Sequence, residues 1–179
     1  MKSKKFIAIG AIFSLAIMSL SLAAIGAESS QVISATVTPG VVSVILSTPS
    51  VAYGTLPLST SNDIRSTALS SAITATNNGT VTEALNIRGT DTTNGTTWTL
   101  NSSPATTGTV GANQFAHRFD ADASFDTGTA KALSTSNQTL AASVAASGTQ
   151  AFVLQMNMPT SSTDSVEKTT TVTVQAVAP

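Results

Sequence analysis

The 179-residue chain contains no cysteine, so no disulfide staples it and no thiolate serves as nucleophile or metal ligand. Only 9% of its residues are charged, 8 Lys+Arg against 9 Asp+Glu, and three of the eight cations fall within the first five positions. Cations this sparse form no basic stripe for a phosphate backbone, which excludes nucleic acid as a partner.

The chain opens in the order basic, apolar, small. Lys2, Lys4 and Lys5 precede an apolar run over 6–22, interrupted only by Gly10, Ser14, Ser19 and Ser21, and Ala23-Ala24-Ile25-Gly26-Ala27 closes it. That order reads as a secretory signal over 1–27, with the lysines held cytoplasmic while the apolar stretch enters the translocon. Cleavage after Ala27 puts Ile25 at the −3 position; cleavage after Gly26 puts Ala24 there. An uncleaved anchor is the alternative, the run being long for a signal and short for a relaxed span. The expected location is secreted, extracellular or at the cell surface, with no transmembrane span in the mature chain. Removing 27 of 179 residues leaves 152, the size of one domain over 28–179. Losing three lysines leaves 5 cations against 9 anions, a net charge of −4.

Beyond residue 27 no helix-length apolar pattern appears; period-two runs of β-branched residues alternate with Gly, Asn, Ser and Pro. The first expected strand is 32–38. The second is 41–46, apolar on both faces and suited to burial on two sides. Pro39-Gly40 marks a bend between them, and Pro49 and Pro57 bracket an extended piece with Val51, Tyr53 and Leu56. A hairpin is expected next. Leu69, Ser71, Ile73 and Ala75 share one face, and Val81, Leu85 and Ile87 share another across Asn77-Asn78-Gly79-Thr80. Asn-Gly is the pair that tolerates positive φ at both turn positions. Further strands fall on Trp98 and Leu100, then on 115–119, 140–144, 151–158 and 169–177. Phe152, Leu154, Met156 and Met158 share one face of the fourth of these, and Val172, Val174 and Ala176 one face of the last. The segments 102–114 and 121–138 read as long loops, where a binding surface would lie.

Nine or so short strands at this spacing imply an all-β chain: a single immunoglobulin-like antiparallel β-sandwich following the signal peptide. Its core is expected from Val44, Leu69, Ile73, Leu85, Ile87, Trp98, Phe152, Leu154, Val172 and Val174.

The run Ile73-Thr74-Ala75-Thr76-Asn77-Asn78-Gly79-Thr80-Val81-Thr82-Glu83-Ala84-Leu85-Asn86-Ile87 resembles the strand, Asn-x-Gly, strand core of CARDB-like and NEW3-like surface sandwiches. Trp98-Thr99-Leu100, Ala145-Ala146-Ser147-Gly148-Thr149 leading into Phe152, and the final strand fit the same scheme. This resemblance implies a fold more than a function. Val51-Ala52-Tyr53-Gly54-Thr55-Leu56 with Trp98-Thr99-Leu100 is similar to the WxL wall-binding domain, although this chain has one Trp where that family has two Trp-x-Leu motifs. The leader, Gly54-Thr55-Leu56-Pro57-Leu58-Ser59 and Asn77-Asn78-Gly79 are similar to TasA/camelysin fibre subunits, a resemblance that implies polymerisation by an added strand.

Four constellations bear on chemistry. Asp120, Asp122, Ser124 and Asp126 alternate at the 1, 3, 5, 7 spacing of a calcium loop, but position six is Phe125 and position twelve is Lys131. The two readings are a calcium site and a solvated polar loop; no other cofactor is expected. His117, the only histidine, shares a side with Phe115 and Phe119, opposite Arg118 and Asp120, and reads as packed in the core. Trp98 and Tyr53 are ligand candidates, since either could stack on a sugar. With six aromatics beyond residue 27, though, a sandwich needs most of them inside. Asn78, Asn94, Asn101 and Asn137 each begin an Asn-x-Ser/Thr triplet, which matters only in a host that glycosylates.

Together these features predict a non-enzymatic structural or adhesive surface protein. Its expected partners are other copies of itself or cell-envelope polymers, and the alternative is a carbohydrate- or cell-wall-binding module. Strands 32–38 and 169–177 lie at the chain ends with few charges, which leaves sheet edges open to strand addition.

Overall fold

The computed structural model describes residues 33–59, 67–102 and 110–179. The expected signal segment, Val32 and most of the loop expected over 102–114 lie outside them. Among the described residues ten strands follow one another: β1 (Val44–Leu46), β2 (Thr67–Leu69), β3 (Ile73–Asn77), β4 (Glu83–Gly89), β5 (Thr99–Leu100), β6 (Gln114–Asp120), β7 (Lys131–Ala132), β8 (Gln138–Val144), β9 (Thr149–Asn157) and β10 (Val172–Val177). Among the described residues there is no helix, and so none long and apolar enough to cross a membrane.

The chain divides into two units, Met1–Val37 and Thr38–Pro179. Of the first, residues 33–37 are described; they are exposed and carry no strand. The strand expected over 32–38 is therefore absent across 33–38. Alternation of Ile33, Ala35 and Val37 supplies propensity, but a strand also needs a ladder partner.

In the second unit two sheets pack as a sandwich. One runs β1-β3-β9-β6-β5, with β2 also on β9 and β7 on β6; the other runs β10-β4-β8. Ile73, Leu85, Ile87, Phe115, Phe119, Leu133, Leu140, Phe152 and Leu154 form the interior with Trp98 and Leu100, while Val44, Val172 and Val174 pack half-buried against it. β9 is the spine of the larger sheet. β2 and β3 lie along the same side of it, Leu69 opposite Gln155 and Ile73 opposite Phe152, a one-residue slip across 70–72. Ser70 bridges the slip: its N–H donates to Leu154 O, and its Oγ accepts from Leu154 N. The slip breaks the parity expected from the alternation. Ile73 and Ala75 are buried, whereas Leu69 is 55% exposed and is not a core residue.

Five further expectations change. The run 41–46 shortens to β1, an edge strand with Ile45 53% exposed rather than buried on both faces. β5 pairs with β6 in parallel, so the larger sheet is mixed. The last strand starts at Val172, and β7 emerges from the segment read as loop. Finally, Asn77-Asn78-Gly79-Thr80 is not a hairpin turn: β3 pairs with β1 and β9, β4 with β10 and β8, and the connection crosses between sheets.

The Asn77 side chain explains the crossing. Fully buried, it donates from Nδ2 to Val81 O at 2.8 Å and to Val144 O at 2.9 Å, and its Oδ1 accepts from Gly79 N at 2.8 Å. That last bond takes the turn's own N–H, and Gly79 is needed because a Cβ there would strike Val41 O. The Asn-Gly pair with positive φ at both positions is instead Asn94-Gly95, at 70° and 61°.

Candidate functional site

β6 is buried on both faces: Phe115, Ala116, His117, Arg118, Phe119 and Asp120 are all at most 4% exposed. Strands buried on two sides favour continuous apolar runs, so its three ionisable residues each need a partner. His117 meets Tyr53, with Tyr53 Oη and His117 Nε2 sharing a hydrogen bond at 2.8 Å and the rings edge-on at 5.7 Å. His117 Nδ1 is buried without a partner in either tautomer. Burial lowers the imidazole to about 4, well under its ordinary 6.5, and raises the Tyr53 phenol. Both rings are thus neutral at physiological pH, and among the described residues no serine or carboxylate is poised against His117 as a triad would require.

Arg118 points the other way, donating from one guanidinium nitrogen to Thr127 O and Ala130 O, with Phe125 stacked 5.4 Å from the charge. Burial lowers its pKa and Asp120 pushes it back up. Asp120 Oδ2 accepts from Asp126 N at 2.8 Å and Thr129 Oγ1 at 2.7 Å, and Asp126 Oδ1 accepts from Gly128 N at 2.8 Å. Asp122 and Ser124 are exposed. The calcium candidates Asp120, Asp122, Ser124 and Asp126 therefore do not converge. Asp120 and Asp126 brace their own loop, and among the described residues no three acidic, His or Cys side chains meet as metal ligands. An open groove of about 420 Å³ runs beside this loop, with Phe119, Asp120, Asp122, Lys131 and Leu140 in its walls.

The ligand candidates Trp98 and Tyr53 are not brought together. Trp98 is 7% exposed and belongs to the core. Its Nε1 donates to Ser162 Oγ at 3.1 Å, and Lys168 Nζ lies 5.5 Å from the ring centroid. Lys168 also donates to Asn94 O at 2.9 Å and pairs with Asp164 Oδ1 at 2.6 Å, while Asp164 Oδ2 accepts from Thr96 N at 2.5 Å. The bonds from Lys168 and Thr96 hold the Asp164 carboxyl down at about 2. This is a sealed corner rather than a stacking platform.

The two pairings that organise these regions, Tyr53 with His117 and Asp164 with Lys168 over Trp98, were not anticipated from the sequence. The first joins single copies of two residue types 64 positions apart, for which local spacing carries no signal. The second has a partial signal: Asp164 and Lys168 are four apart, but the Asn94-Gly95 turn they hold is 74 residues from Lys168. Glu83, fully buried, accepts from Ser43 N through Oε2 at 3.0 Å and leaves Oε1 without a partner. No protein-family model, curated protein or solved structure matches this chain.

Proposed function

We propose that this is an exported, non-enzymatic, immunoglobulin-like sandwich that serves as a structural or adhesive surface protein and associates with copies of itself through a sheet edge. The observation carrying this reading is β1. It pairs with β3 on one side and with no strand on the other among the described residues. Ile45 within it and Val41 and Val42 just before it are 40–53% exposed. From residue 33 to residue 59 there is no charged side chain. Natural edge strands are usually guarded by charges, proline or bulges. An unguarded edge, together with an exposed terminal segment of alternating Ile33, Ala35 and Val37, suits strand addition between chains. The leader-like first 27 residues and the likeness to CARDB-like, NEW3-like and TasA/camelysin proteins support the same reading.

A sugar-binding module would need exposed aromatics, and the burial of Trp98 disfavours it. Electron microscopy of the purified protein tests the proposal. Filaments or closed rings are expected, while uniform monomers at high concentration, with Trp98 emission altered by added sugars, would establish the binding module instead.

A further inference from the structure

We propose that the Tyr53–His117 pair is a pH-sensitive latch: protonation of His117 releases the strap 48–58 from β6. The strap runs between two backbone anchors, Ser47 N to Thr74 O at 2.9 Å and Ser59 N to Pro159 O at 2.8 Å. Between them it forms no strand, and among the described residues its backbone bonds only locally, Ser50 N donating to Thr48 Oγ1 and Thr48 Oγ1 to Ser50 O. Val51 and Tyr53 pack half-buried against the core. Among the described residues one hydrogen bond, Tyr53 Oη with His117 Nε2, ties the middle of the strap to the sheet. Gly54 follows at φ 70° with open space around it, a backbone bend that suits a segment laid on rather than woven in.

Protonation acts on this tie through geometry. A charged imidazole has two N–H donors, and His117 offers a partner to only one, since Nδ1 is buried with none. Among the described residues no counter-charge faces the ring. β9 presents Met156 opposite His117 and carries no ionisable residue, and neither does β5. On β7, Lys131 stands opposite Phe119. On β6 itself, Arg118 and Asp120 are committed to the 126–130 loop. Across the sandwich, β8 and β10 carry no charge, Glu83 on β4 is bonded to Ser43, and Arg88 is exposed. On the strap, Tyr53 is the only titratable group. A buried, uncompensated cation must reach water, and among the described residues the strap is the least-anchored cover over His117. Falling from its ordinary 6.5 to about 4, the ring couples to opening by up to roughly 300-fold once the pH is below both values.

The chain carries one histidine, so its imidazole can be titrated by NMR without assignment, while hydrogen exchange read by mass spectrometry follows 49–58 and the β6–β9 ladder between pH 7 and 3.5. Comparing each rate with that of His117→Gln at the same pH cancels the intrinsic pH dependence of exchange. The expected result is loss of strap protection in step with His117 titration while the ladder stays protected, and no such loss in His117→Gln. Tyr53→Phe should expose the strap already at pH 7 and raise the imidazole pKa. Strap protection that is unchanged through the His117 titration, or that disappears only together with the ladder, overturns the latch. So does a Tyr53→Phe strap as protected at pH 7 as the parent's.

Discussion

The Asn77 side chain joins the two sheets. It satisfies two carbonyls, one from the β3–β4 crossing and one from the end of β8, and so pins the two sheets together at one point. Asn77→Ala leaves Val81 O and Val144 O unpaired in a buried setting. The expected loss is about 3 kcal/mol, read from the midpoint of chemical denaturation at unchanged slope. Asn77→Asp should be no milder, because a carboxylate cannot supply the two N–H bonds. His117 sets a second residue-scale expectation. Its folded pKa, about 4, lies below the unfolded 6.5, so the unfolded chain takes up the proton first as pH falls. The stability it contributes is complete above 6.5 and is lost between 6.5 and 4, up to about 3 kcal/mol. Equilibrium unfolding across that window should show the slope in the parent protein, and His117→Gln should flatten it. A parent as stable at pH 4 as at pH 7 contradicts the assignment.

At the level of elements, the Trp98 corner depends on Asp164 more than on the ring it seals. The carboxylate joins the Asn94-Gly95 turn, through Thr96 N, to Lys168. With its pKa held near 2, this support is present above the ordinary carboxylate value of 3.8 and is lost as pH falls toward 2. Asp164→Ala should shift Trp98 emission to longer wavelength and raise its quenching by acrylamide at pH 7, with the sheets otherwise intact by circular dichroism. Unchanged emission and quenching would show that the sealing is done by Ser162 and packing. The elements themselves were readable to differing degrees. Strands β4, β6, β8 and β9 form where the sequence places them because large side chains such as Leu85, Phe115, Leu140 and Phe152 anchor them in the core, although β6 is buried on both faces rather than alternating. Alternation failed where a backbone device intervenes: the slip at 70–72 turned Leu69 outward, and Asn77 turned an Asn-Gly hairpin signal into a crossing. β7, two residues long, has no pattern to detect and forms only because β6 offers it an edge. The functional residues were the least readable. Tyr53 and Trp98 were identified as aromatics of interest, but their partners come from distant parts of the chain.

At the scale of the molecule, an uncharged edge and a cysteine-free chain define what association can rest on: ladder hydrogen bonds and apolar burial. Such contacts strengthen with concentration and respond to edge charge. The most direct test is light scattering across a concentration series on three proteins: the mature chain 28–179, a chain beginning at Pro39, and the mature chain carrying Val42→Lys, which sets a charge beside β1. Self-association through this edge predicts that the mature chain's apparent mass rises with concentration while the shortened chain and Val42→Lys remain monomeric. A mature chain that stays monomeric throughout, or three proteins that associate alike, contradicts it.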